Sequence, residues 1–271
     1  NTNDPLVLSA KEQAALEKIT GGEWRKYGRV AMAALSALPW VGSLIGAAAT
    51  LSGENSQNEV NKVMYIWVQE HEIKLRELAA TLRNVFERFE SFGERIKERI
   101  ESEEYMSLVR KTFAQWDYAE TREKKDMLRK LVTNAGGISM AQDDLVRMFL
   151  EWIEKYHEFH FLVIREIYKN PGITRHDIWV NLRGEIPRDD SAEADLFKLL
   201  VYDLNTGRVI RQRRETDYEG RFVKPQPQRG GHRSETYESA FEPTKPYVLT
   251  ELGSQFVHYV MEDLAPQLEG E

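Results

Sequence analysis

The sequence predicts a mainly α protein, with an N-terminal bundle of long antiparallel helices over 1–157 and a smaller α+β domain over 158–271. Three observations predict it. Apolar residues recur at helical spacing through charged stretches between 57 and 135. An uncharged run of 22 residues, 30–51, sits in a chain that is 30% charged. After His157 the helices shorten, and two strand-like segments flank a loop rich in Arg, Gln, Pro and Gly.

The run VAMAALSALPWVGSLIGAAATL follows Arg25, Lys26 and Arg29 and precedes Glu54. Such a stretch must be buried in protein or in lipid. At about 1.5 Å per residue it is long enough to cross a hydrocarbon core of about 30 Å. Its composition argues otherwise: alanine is its commonest residue, and Pro39, Gly42 and Gly46 interrupt the stronger apolar ones. Proline removes a backbone donor and clashes with the preceding turn, so Pro39 splits the run into a helix over 30–38 and a second from Trp40. Two helices of about ten residues each read as a buried hairpin. Leu38, Trp40, Val41, Leu44 and Ile45 are its packing residues. Three settings stay open: the bundle core, which composition favours, a bilayer entered conditionally, and a constitutive span.

Ser9 is placed to cap a short helix over 10–19, which Gly21-Gly22 ends. From 57 to 101 the pattern predicts one long helix, extending about 67 Å if unbroken. Val60, Met64, Trp67 and His71 are followed by Leu75, Leu78, Leu82, Val85, Phe89, Phe92 and Ile96 at alternating spacings of 3 and 4. This is a heptad seam with one four-residue slip, narrow enough to leave most of the helix solvated. Gly93 weakens its end. A second helix is expected over 102–135, bending or fraying in its highly charged middle, Asp117 to Asp126, and closed by Gly136-Gly137. A third starts near Met140 or Gln142, with Phe149, Trp152 and Ile153 on its apolar face.

The C-terminal part reads as a helix over 160–169, a helix capped by Thr174, and a helix over 192–205 capped by Ser191. Strands over 208–213 and 246–250 and a last helix from Glu251 complete it. The segments ITRHDIWVNL, LFKLLVYDLNTGRVIRQ and PYVLTELGSQFV resemble the second helix, the third helix with first wing strand, and the closing strand and helix of winged-helix domains. That resemblance implies a third helix of the kind that enters the DNA major groove. The stretch AETREKKDMLRKLVTNAGGISMAQDD resembles bacterial abortive-infection proteins of the Abi-alpha type, in which a charged helix ends in an Asn-containing turn. That likeness implies a role in phage defence.

The chemistry-bearing candidates are few. With no cysteine there is no disulfide, thiolate metal site or cysteine nucleophile, which fits a reducing, cytoplasmic setting. His157 and His160 stand one turn apart, but no second cluster completes a metal shell. Asp143-Asp144 and Asp189-Asp190 read as helix starts. No serine-nucleophile or phosphate-binding signature is present, so no enzyme, cofactor or metal is expected. The basic stretch holds Arg208, Arg211, Arg213, Arg214, Arg221, Lys224, Arg229 and Arg233 against three acids, a net of five positive charges. It reads as a nucleic-acid or partner-binding wing, or as a solvated loop. The helix before it has Glu193, Asp195 and Asp203 against Lys198 alone, and phosphates would repel it. The whole chain carries a net charge of −7, which argues against general nucleic-acid affinity.

The expected function is therefore a non-enzymatic bacterial interaction or effector protein of a phage-defence system. Its sheltered apolar hairpin would serve assembly or conditional membrane action, and its winged-helix domain would contact a partner or nucleic acid. A protein partner or self-assembly is expected, with membrane association only on activation. The alternative is a DNA-binding transcriptional regulator that dimerises through its long helices.

Overall fold

The computed structural model describes residues 26–41, 57–137, 143–214, 217–219, 221, 223 and 238–261. Among these the chain is mainly helical, with one small antiparallel sheet of three strands. It divides into two compact units, Asn1–Glu154 with Glu262–Glu271, and Lys155–Met261. The expected helix over 10–19 lies outside the described residues.

In the first unit α1 spans Gly28–Ser36, α2 Gln57–Phe92, α3 Lys97–Ile100, α4 Glu103–Tyr118, α5 Arg122–Gly137 and α6 Asp143–Lys155, whose last residue already belongs to the second unit. Helix α1 packs on α4, α4 on α5, and α5 on α2. The split at Pro39 is present: α1 stops at Ser36, and a new helical turn covers Pro39 to Val41. Leu38 and Val41 are buried. The remainder of the expected hairpin, Leu44 and Ile45 included, lies outside the described residues.

The helix expected over 57–101 is not continuous. It ends at Phe92 because Gly93 takes a φ of +72°, a left-handed conformation that only glycine adopts without cost. A 3-10 turn over Gly93–Ile96 and the short α3 follow, and Ser102 then caps α4 by accepting the Tyr105 N–H at 3.3 Å. The seam residues Leu78, Leu82, Val85, Phe89, Phe92 and Ile96 are buried. Phe86 is buried with them and stacks on Tyr27 at 5.2 Å, so the apolar face is wider than a strict heptad seam.

The helix expected over 102–135 is likewise two helices. Ala119 turns extended at φ −67° and ψ 121°, and the Thr121 hydroxyl accepts the Lys124 N–H at 3.3 Å to start α5. The break thus falls inside the charged middle of the predicted helix, at residues 119–121, and the other charged residues of that stretch belong to the end of α4 and the start of α5. Asn134 is buried inside α5 rather than placed in a turn, and Gly136-Gly137 form the last turn of that helix. The Tyr105 hydroxyl donates to the Val132 carbonyl at 2.6 Å, and Arg99 pairs with Asp143 at the start of α6.

In the second unit α7 spans Glu158–Lys169, β1 Ile173–Thr174, α8 Arg175–Arg183, α9 Ala192–Thr206, β2 Ile210–Gln212, β3 Pro246–Leu249 and α10 Glu251–Val260. Thr174, Ser191 and Thr250 cap α8, α9 and α10, accepting N–H groups at 3.2, 3.1 and 3.0 Å. The sheet order is β1–β3–β2, with Ile173 opposite Tyr247 and Arg211 opposite Val248. Strand β1 was not expected: two residues show no alternation, and their extended state comes from pairing with β3. Phe159, Trp179, Phe197 and Phe241 form the aromatic centre, with Trp179 5.3 Å from Phe197 and 5.1 Å from Phe241. Glycine is required at 253, where a Cβ would lie 2.1 Å from the Val209 carbonyl oxygen.

Candidate interaction surfaces

The basic stretch begins on the turn between α9 and β2. Arg208 holds a left-handed φ of 59°, and its carbonyl accepts the Thr250 hydroxyl at 2.5 Å. Arg208, Arg211, Arg213 and Arg214 are all exposed, and the Arg213 N–H donates to the Pro246 carbonyl at 2.8 Å. Arg221 is engaged locally, 3.0 Å from Asp217 and 2.5 Å from Glu219. The Arg221 backbone N–H and guanidinium hold the Asp217 carboxyl below its usual range. Lys224, Arg229 and Arg233 lie outside the described residues. Four of the eight basic candidates are thus exposed on β2 and the residues that flank it.

The far end of the loop is fastened. Asp189 accepts the Ser239 hydroxyl at 2.8 Å and the Ala240 N–H at 3.0 Å. Arg175, buried on α8, pairs with Glu238. Asp189 and Asp190 stand immediately before the Ser191 cap at the start of α9, and Asp190 pairs with Arg188 at 2.8 Å. Sequence reasoning missed both tethers, because their partners are 50 and 63 positions away.

Helix α9 turns Ala194, Phe197, Leu200, Val201 and Leu204 inward. Its outer side carries Asp195, Leu196, Leu199 and Tyr202, all exposed, and Glu193 is exposed in its first turn. Lys198 is half-buried. The acidity was legible in the sequence. The exposed leucines and tyrosine were not, since an apolar residue on a helix is ordinarily assigned to the core.

The His157 and His160 rings are tilted against each other with centroids 5.9 Å apart. The His160 Nδ1 accepts the His157 N–H at 3.1 Å, which places the proton of the neutral ring on Nε2, 3.7 Å from Asp203 Oδ2. Burial pushes the His160 pKa down to about 4, and the Asp203 charge offsets only part of that. Among the described residues no group of three or more His, Asp or Glu is arranged to hold a metal ion.

In the first unit, the residue after Pro39 is held by polar contacts. The Trp40 indole N–H donates to Asp117 at 2.8 Å, and its ring stacks on His71 at 5.6 Å. Lys74 joins Asp117 at 3.2 Å. At the other end of α1, Lys26 and the Tyr27 hydroxyl both donate to Glu90 at 2.7 Å. Burial, aided by the Glu90 carboxylate, pushes the Tyr27 hydroxyl up to about 12. Among the described residues no helix is long and apolar enough to cross a membrane. Comparison with protein-family models, curated proteins and solved structures gives no match.

Proposed function

We propose that this chain is a non-enzymatic interaction or effector protein, of the kind found in phage defence, that keeps an apolar segment sheltered until a partner releases it. The observation that carries the reading is the treatment of the run at Pro39. Leu38 and Val41 are buried, while Trp40 is half-buried and held by polar contacts, with its indole N–H on Asp117, its ring on His71 and the Lys74 ammonium over that ring. Apolar burial favours the sheltered state by about 1.5–3 kcal/mol for each large side chain, so release needs a trigger that binds the open state preferentially. The second unit supplies the contact with that trigger. Its order of helix, strand, two helices, two strands and helix, with β3 central, supports a winged-helix arrangement.

Liposome leakage tests the proposal. The expected result is leakage only on addition of the activating partner, abolished by Leu44→Asp. Recovery of the protein from cells by detergent alone would overturn it, because a sheltered segment leaves the protein in the aqueous fraction.

A second reading, a DNA-binding regulator, is favoured by the exposed group Arg208, Arg211, Arg213 and Arg214. It requires affinity that falls steeply with salt and a shallower slope when Arg211, Arg213 and Arg214 are replaced. Equal retention of parent and variant on DNA at low salt counts against it.

A further inference from the structure

We infer that the outer face of α9 is a docking surface for a basic amphipathic helix of a partner protein. This rests on reading the Lys155–Met261 unit as a protein-contact module, and it assigns that contact to particular residues. Leu196, Leu199 and Tyr202 are 49%, 54% and 65% exposed, although Phe197, Leu200 and Val201 of the same helix are buried. Their spacing of three residues puts them on one side of the helix, opposite the core-facing set. Three large apolar side chains left in water at that spacing match the anchor pattern by which one helix receives another.

Charge selects the occupant. Exposed Asp195 precedes Leu199 by four residues and Tyr202 by seven, so it lies along the same stripe, and exposed Glu193, three residues before Leu196, stands beside its start. The only base on α9, Lys198, is half-buried. An acidic, apolar face repels nucleic-acid phosphates and attracts a partner that interleaves leucine-like anchors with Lys or Arg. The two acids also suit the positive end of the helix dipole, but a dipole gives no reason for exposing leucines beside them.

The test uses the full chain and a synthetic Leu/Lys amphipathic helix, followed by fluorescence anisotropy. Two controls accompany it: a scrambled peptide of the same composition, and a Leu/Glu helix of the same pattern. The amphipathic Leu/Lys peptide is expected to bind at least about tenfold more tightly than either control. Leu199→Gln and Leu196→Gln, both at exposed positions, are each expected to weaken it by about tenfold. Glu193→Gln with Asp195→Asn is expected to flatten the salt dependence. Equal binding of the scrambled peptide overturns the inference, since that would be attraction to net charge alone. So does indifference to both leucine substitutions. Self-association in sedimentation that Leu199→Gln abolishes overturns it in favour of a second copy of this chain. Duplex DNA binding lost in the same variant assigns the face to nucleic acid instead. None of these outcomes alters the leakage result, so failure here is separable from failure of the sheltered-segment proposal.

Discussion

The indole Nε1 of Trp40 donates to Asp117 at 2.8 Å, joining the residue after the helix-breaking Pro39 to the last turn of α4. The same carboxylate oxygen takes the Lys74 ammonium at 3.2 Å. Asp117→Ala removes an acceptor with little exposure and is expected to cost about 1–3 kcal/mol. Asp117→Asn keeps an oxygen for the indole and loses mainly the half-exposed ion pair, so it should stay within about 1 kcal/mol of the parent. Urea unfolding measures both costs, and hydrogen exchange over 30–41 reports the local loosening. Equal costs for the two variants would show that the hydrogen bond contributes nothing of its own.

Leu82 is fully buried in the middle of the α2 seam. Leu82→Ala is expected to lower stability by about 2–5 kcal/mol, the range for a large buried aliphatic cut back to alanine. Denaturant unfolding checks it. A loss within about 0.5 kcal/mol is the behaviour of a surface position and would contradict the packing described for α2.

His160 predicts a pH dependence. Its folded pKa is about 4, chiefly through burial, against about 6.5 for an unfolded imidazole. Between these values the unfolded chain takes up a proton that the folded chain refuses, so falling pH favours unfolding. This contribution is complete above about pH 6.5 and is lost progressively towards about pH 4, on the order of 2 kcal/mol by pH 5. His160→Gln retains an acceptor for the His157 N–H and cannot titrate. Its stability should be flatter across that window than the parent's, as read from urea midpoints at several pH values. Parallel curves would assign the acid loss to other groups.

Gly253→Ala places a methyl group 2.1 Å from the Val209 carbonyl oxygen, so the backbone entering β2 and the first turn of α10 have to move apart. The expected loss is at least about 1–3 kcal/mol, as in overpacked cores, despite the better helix propensity of alanine. Thermal unfolding distinguishes this from the stabilisation that propensity alone predicts.

Local signals were read with most success. Ser102, Thr174 and Ser191 each begin a helix, because a capping hydroxyl acts on an N–H three residues on and needs nothing distant. Pro39 breaks the apolar run for the same reason. The weak points at Gly93 and in the charged stretch 117–126 were legible, but not that the helices end there, since periodic apolar positions continue across a bend. Strand β1 was invisible because its residues are extended only by virtue of Tyr247 and Pro246 opposite them.

The candidate surfaces divide in the same way. The arginines from 208 to 214 and the acids of α9 can be counted along the chain, so the contrast between a basic wing and an acidic helix was legible without coordinates. The pairing of Arg221 with Asp217 and Glu219, the tethers of Asp189 and Arg175, and the Trp40–Asp117 contact were not. What the sequence alone determined was the helical content, the caps, the break at Pro39 and the charge of each segment, all consequences of near-neighbour chemistry. Only the tertiary structure decided which apolar faces are covered. Leu200 and Leu199 are adjacent and chemically identical, yet one is buried and the other half-exposed. That difference comes from what packs against α9, and residues distant in the chain supply it.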